Sequence, residues 1–199
     1  MTGKKSIIET ALKAAFKLAE TTPWGELSLS DIASEAGLSL SDFHGVADKN
    51  NLSASVEGHF DAAMSEGSIS EDETARTRLF DVIMMRFEAM EDNRDAAMSY
   101  LRWRDRSLAG LSLRLKARFE TAKWALTCAG LDKQSNLPKE IEQTAIAWAV
   151  SQAERAWRRE TGSDLSQTMS ALDAELLKLE ERSDWLKNLG RSKAKPDPQ

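Results

Sequence analysis

The side chains best equipped for chemistry are few and scattered. His44 and His59 stand 15 residues apart. Neither lies in an H-E-x-x-H arrangement or in another spacing that would set two imidazoles on one metal. Cys128, the single cysteine, sits in "ALTCAG" with no histidine near it in sequence. It reads as a small apolar residue rather than a nucleophile. No glycine-rich loop is present to cradle a phosphate. Neither a nucleophile–base pair nor a metal set can be assembled, so the residues predict no catalysis and no cofactor.

A different pattern occupies residues 28–52, "SLSDIASEAGLSLSDFHGVADKNNL". Ser28 with Asp31, and Ser39 with Asp42, are S-x-x-D pairs, the spacing at which a serine and an acid cap a helix start reciprocally. Gly37 stands between them, and glycine enters the left-handed conformation that ends a helix without strain. Two capped helices joined by a tight turn form the device that lays a short helix in the DNA major groove. The groups it would offer to bases and phosphates are Ser28, Ser39, Leu40, Ser41, His44 and Lys49. Amides at the helix starts near Ser28 and Ser39 are unpaired donors suited to phosphate, and Lys4 and Lys5 can reach a DNA backbone from the N-terminal arm.

The charge around this pattern points the other way. Residues 1–60 carry five basic side chains, all lysine, and eight acidic ones, a net of −3. The 199-residue chain as a whole is at −5. DNA binding draws affinity from phosphate neutralisation, and arginine is the commonest reader of guanine. Contacts to DNA must therefore come from a local patch rather than from bulk charge.

The elements that position these residues are helices. Ala, Leu, Glu, Lys and Arg are abundant, and prolines number four, a composition that favours helix nearly throughout. An amphipathic helix over 4–20, carrying Ile8, Ala11, Leu12, Ala15, Phe16 and Ala19, ends at "TTPWGE", where Pro23 and Gly25 stop it. Trp24 is predicted to cover a small core. Short helices follow from Leu29 and over Leu40–Val46, then one over Lys49–Met64 capped by Asp48. "SEGSISED", residues 65–72, is polar and marks the boundary to a body of five more helices, at 71–92, 93–105, 108–129, 138–160 and 164–188. Ser70–Glu73 and Asp164 are the expected caps of the first and last of these. The domains are then 1–64 and 65–190, with a basic, proline-containing tail at 191–199.

One cysteine and no signal-like N-terminus indicate a cytoplasmic protein. No stretch approaches the ~20 apolar residues of a membrane span, so membrane insertion is not expected.

Within the body, Met84, Phe87, Met98, Leu101, Phe119 and Trp124 suit an adaptable pocket for a small apolar ligand, and they suit an ordinary core equally. Arg102, Arg104, Arg106, Arg114 and Arg118 run beside them, either to receive an anionic head group or to form a solvated face. The last helix spaces Leu165, Met169, Leu172, Leu176, Leu179 and Leu186 by fours and threes, with polar Ser183 filling the remaining slot. With Trp148 of the preceding helix, these residues suit a seam across a two-fold axis or packing within one chain.

This order of elements resembles the TetR/AcrR family of one-component regulators. The family run is IA-x-x-AG-V-S-x-G-x-x-Y-x-x-F-x-x-K-x-x-L. Ile32-Ala33, Ala36-Gly37, Ser39, Lys49 and Leu52 match it. Leu38 stands for the valine, Phe43 at or near the tyrosine, and Val46 for the later phenylalanine. The match covers about 50 residues. It implies an all-α TetR-like fold: an N-terminal three-helix helix-turn-helix domain and a helical body that binds ligand and dimerises through Trp148, Leu165, Met169, Leu172 and Leu176. The implied partners are a palindromic DNA operator, a small apolar ligand and a second copy of the chain. Leu40 and Ser41 depart from the family, which favours a small residue and then glycine there. Residues 75–90, "ARTRLFDVIMMRFEAM", also resemble a helix of the TetR-fold relatives of the ubiquinone-biosynthesis accessory protein. That group includes lipid binders that no longer use DNA. The alternative it implies is a lipid or isoprenoid binder with a vestigial helix-turn-helix.

Overall fold

The computed structural model describes residues 2–67, 70, 72–132 and 138–193. Among them every regular element is helical: α1 (Thr2–Ala19), α2 (Leu29–Ala36), α3 (Leu40–Phe43), α4 (Lys49–Ala62), a short 3-10 turn (Ala63–Ser65), α5 (Ala75–Glu91), α6 (Arg94–Arg106), α7 (Leu108–Cys128), α8 (Lys139–Trp157) and α9 (Ser166–Lys193). The chain forms two compact units, Met1–Ala63 with Glu88–Ala117, and Met64–Phe87 with Arg118–Gln199. The tail from 194 onward and the side chain of Leu186 lie outside the described residues.

In the first unit α1 packs on α2, α4 and α6. The expected stripe is buried at Ala11, Leu12, Ala15, Phe16 and Ala19. Phe16 stacks on Phe60 with ring centroids 5.5 Å apart, and Trp24 meets Tyr100 edge-on at 5.3 Å. His59 packs its ring edge against Phe16 at 5.2 Å, and burial pushes its pKa below the ordinary value. It therefore serves the apolar core. Glu57 and Arg104 are buried together, 2.5 Å apart. An ion pair out of water is tolerable only when both charges are matched.

In the second unit α8 and α9 lie along one another. Ile146, Val150, Ala153 and Trp157 from α8, Leu172 and Leu176 from α9, and Leu165 just before α9 are all buried. Arg118 is hydrogen-bonded to the buried Glu154, whose other oxygen accepts from Arg158 at 2.8 Å.

Helix starts differ from the sequence expectation at two places. Helix α5 begins at Ala75, where the Thr74 hydroxyl accepts the Thr77 amide at 3.1 Å. The start of α9 is held by Glu160, whose buried carboxylate accepts the Gln167 and Thr168 amides at 3.3 and 3.0 Å and the Thr168 hydroxyl at 2.9 Å. Asp164 reaches the Ser166 amide only at 3.4 Å. Leu165, between them, takes φ +53° while buried. A left-handed leucine costs about 1–2 kcal/mol, which its burial and the Glu160 cap offset.

Replacing Arg104 with methionine leaves Glu57 buried without its guanidinium. The expected loss is about 3–5 kcal/mol of stability, read as a lower midpoint in chemical denaturation. Retention of full stability would show that the pair contributes nothing.

Candidate nucleic-acid interface

The Ser28 hydroxyl accepts the Asp31 amide at 3.1 Å, and the Asp31 carboxylate accepts the Ser28 amide at 3.0 Å. The carboxylate also accepts the Ser28 hydroxyl, and these hydrogen bonds lower the Asp31 pKa. Gly37 closes α2 at φ +64°, and the Leu38 amide returns to the Ala33 carbonyl at 2.9 Å. A Cβ at Gly37 would meet nothing within 4 Å, so its requirement is conformational alone.

The second cap is made mainly from one side. The Ser39 amide and hydroxyl both donate to Asp42, each at 2.8 Å, and the Ser39 and Ser41 hydroxyls lie 2.6 Å apart. The helix that follows is only Leu40–Phe43. His44 leaves the helical region at ψ 118° and Gly45 then takes φ +69°, so the segment expected to run to Val46 stops three residues early.

Ser28, Ser39, Leu40, Ser41 and His44 are all exposed, whereas Ile32, Ala33 and Phe43 are buried beneath them. An open cleft of about 550 Å³ runs beside them, lined by Leu29, Leu40, Phe43, His44 and Asn51. Lys49 is placed differently. Its ammonium donates to the Trp24 carbonyl at 2.8 Å and to the Leu27 carbonyl, and it sits 5.6 Å from the Trp24 ring centre. Burial lowers its pKa. Two of its three N–H groups are thus committed inside the protein. Lys4 donates to the Gly45 carbonyl at 2.8 Å, Lys17 pairs with Glu35 at 2.5 Å, and Lys5 lies 3.7 Å from Glu9. The lysines of this unit mostly brace it.

In a comparison of folds, the chain matches the solved structure of the TetR transcriptional regulator from Nitrosomonas europaea ATCC 19718. The match has a TM-score of 0.69 at 17% identity and covers 90% of this chain and 98% of that one. This chain has a TetR-like fold. No family model matches the sequence, and no curated protein matches it.

Within that TetR-like fold, the remaining candidate residues separate. Met84 and Phe87 are buried in the second unit and Leu101 in the first. Met98 lines an open cleft in the first unit, and Phe119 and Trp124 are exposed. The six are divided between the two units rather than gathered in one. Among the dimer candidates, Leu165, Leu172 and Leu176 are already covered within one chain by the α8–α9 packing, so they offer no surface to a partner. Trp148 and Met169 are exposed, as are Ile141 and Leu177. A cleft of about 690 Å³ lies beside Ile141, Trp148 and Leu179. Among the described residues no group of three or more His, Cys, Asp and Glu is placed to hold a metal, and no helix is long and apolar enough to cross a membrane.

Gly37→Ala forces a Cβ into the left-handed region with no clash to relieve. Thermal or chemical unfolding should register a loss of about 1–2 kcal/mol. An unchanged midpoint would mean that the turn does not depend on that backbone conformation.

Proposed function

We propose that the chain is a DNA-binding transcriptional regulator that acts as a cytoplasmic homodimer and responds to a small apolar or amphipathic ligand. The observation that carries this reading is the exposure of Ser39, Leu40, Ser41 and His44 on a tightly turned, doubly capped pair of helices. Polar groups on the outer side of such a turn meet base edges and phosphates, while the residues beneath them hold the angle. The fold similarity to a solved TetR transcriptional regulator supports the same reading. In this view residues 1–64 are the reading head. The body shifts a dimer between separations of its two heads, of which one fits half-sites about 34 Å apart.

The electrostatics set the character of the binding. Few cations are available for phosphates, and the Asp31 and Asp42 carboxylates already take up the Ser28 and Ser39 amides, so base contacts carry more of the affinity than usual. The chain should be retained specifically by the DNA flanking its own gene. Between 50 and 200 mM salt it should lose less than about 10³-fold in affinity, the lower edge for a protein with six phosphate contacts. Absence of retention at 50 mM would end this reading. The alternative, a lipid or isoprenoid binder with a vestigial helix-turn-helix, is favoured by the engagement of Lys4, Lys17 and Lys49 with groups of the protein itself. Organic extraction of the purified protein followed by mass spectrometry tests it, and an empty extract counts against it.

Dimerisation is read from the exposed face of α8 and α9. Trp148 is 55% exposed and Ile141 equally so, and large aromatics at such positions anchor interfaces. Trp148→Glu should weaken self-association by about 2 kcal/mol or more, seen as a shift toward monomer in sedimentation with the helical signal unchanged. A dimer of undiminished strength would move the interface elsewhere.

A further inference from the structure

We propose that the open cleft between α6 and the connection from α1 to α2 is a binding site for a small carboxylate with a flat apolar body. The cleft has a volume of about 800 Å³, within the range of small-molecule sites. One wall is α6, through Met98, Arg102, Trp103 and Arg106; the other is the turn from Thr21 to Glu26.

The arginines of this region differ in what they hold. Arg104 is buried against Glu57, Arg94 lies 2.6 Å from Glu91, and Arg114 lies 3.5 Å from Asp105. Arg102 and Arg106, one helical turn apart and both exposed, have no ion-pair partner among the described residues. A guanidinium presents its donors in a planar fork that fits a carboxylate with two parallel hydrogen bonds. Two such forks a turn apart, with an indole on the same cleft wall, suit a carboxylate attached to a ring.

The indole is held in place. Trp103 packs on Tyr100 with centroids 5.9 Å apart, and the backbone at Gly25 approaches so closely that a Cβ there would stand 3.1 Å from Trp103 Cδ1. With Met98 and Pro23 it supplies apolar wall on both sides, and aromatic and thioether groups accept flat ligands well. Glu20, Glu26 and Asp95 also line the cleft. Their presence argues against a polyanion, which would meet more repulsion than the two guanidiniums offset, and favours a single carboxylate.

The site touches the connection that carries Trp24, whose carbonyl receives Lys49 at the start of α4. Occupancy would therefore bias the placement of α2 and α3. That regulatory consequence rests on the DNA-binding reading above, whereas the site itself does not.

The test is calorimetric titration of the full chain with indole-3-acetate and naphthalene-2-carboxylate, with neutral indole as the uncharged counterpart. The proposal expects saturable binding of both carboxylates, with indole at least about tenfold weaker. The double variant Arg102→Gln/Arg106→Gln should lose at least about tenfold, and the control Arg114→Gln should change little. Hydrogen exchange should show added protection at residues 19–26 and 94–107. Failure of both carboxylates to bind, equal binding of indole, an undiminished double variant, or protection confined elsewhere would each overturn it. Because DNA plays no part in the measurement, loss of the DNA-binding reading leaves it standing.

Discussion

Trp24 joins three helices through a connection that cannot itself be helical. Its indole N–H donates to Ser53 of α4 at 3.0 Å, its backbone N–H donates to the Ser99 hydroxyl of α6 at 2.9 Å, and its ring lies against Phe16 of α1. A buried irregular segment must find partners for its backbone polar groups, and Lys49 supplies two of them through the carbonyls of Trp24 and Leu27. The cost is a half-buried ammonium, eased by the negative charge of Asp31 and by the indole face beneath it. Fixing residues 24–27 fixes the direction in which α2 leaves, and the Gly37 turn then sets α3. The exposure of Ser39 to His44 is thus decided by a tryptophan and a lysine that do not belong to the exposed segment.

The same economy governs charge. The protein commits several of its cations to acids or carbonyls: Arg104 with Glu57 and Arg118 with Glu154 in the interior, Lys49 half-buried on backbone, and Lys17 with Glu35 at the surface. A cation committed in this way stiffens a helix junction but contributes less to an external field. Whatever meets the exposed face of α3 must recognise hydroxyls and an imidazole, with few neutralising charges.

Most of the helical order was legible in the sequence because punctuation is local. Pro23 and Gly25, the Ser28–Asp31 pair, Gly37 and the Asp48 cap each act within three or four residues, and each stands where the chain turns. The exceptions are non-local or depend on one dihedral. Glu160 caps α9 across seven and eight residues of loop, a reach that no capping pattern encodes. His44 leaves the helical region and Gly45 then takes positive φ, whereas the sequence reading carried the helix through both to Val46. The stripe Leu165, Leu172 and Leu176 was visible as apolar spacing, but spacing does not say whether the cover is α8 of the same chain or a second molecule. The body's Met and aromatic residues fall in both units for a related reason: their types are shared by cores and pockets, and burial separates Phe87 from Phe119.

Helix α6 shows how one element can serve both requirements. Its inner face, Ala96, Ala97, Tyr100, Leu101 and Arg104, is buried, and Ser99 beside it accepts the Trp24 amide. Its neighbouring face, at intervals of four, carries Arg94, Met98, Arg102 and Arg106 along the open cleft. A side chain pressed by a ligand on the second face is one helical position from a group that anchors the α1–α2 connection on the first. In a close-packed unit such a shift cannot be absorbed locally. Movement of α6 by a fraction of a turn would pull on Ser99, hence on Trp24, hence on the carbonyls that hold Lys49. The cleft and the α2–α3 turn lie within the same compact unit, and the links between them are hydrogen bonds and buried ring contacts.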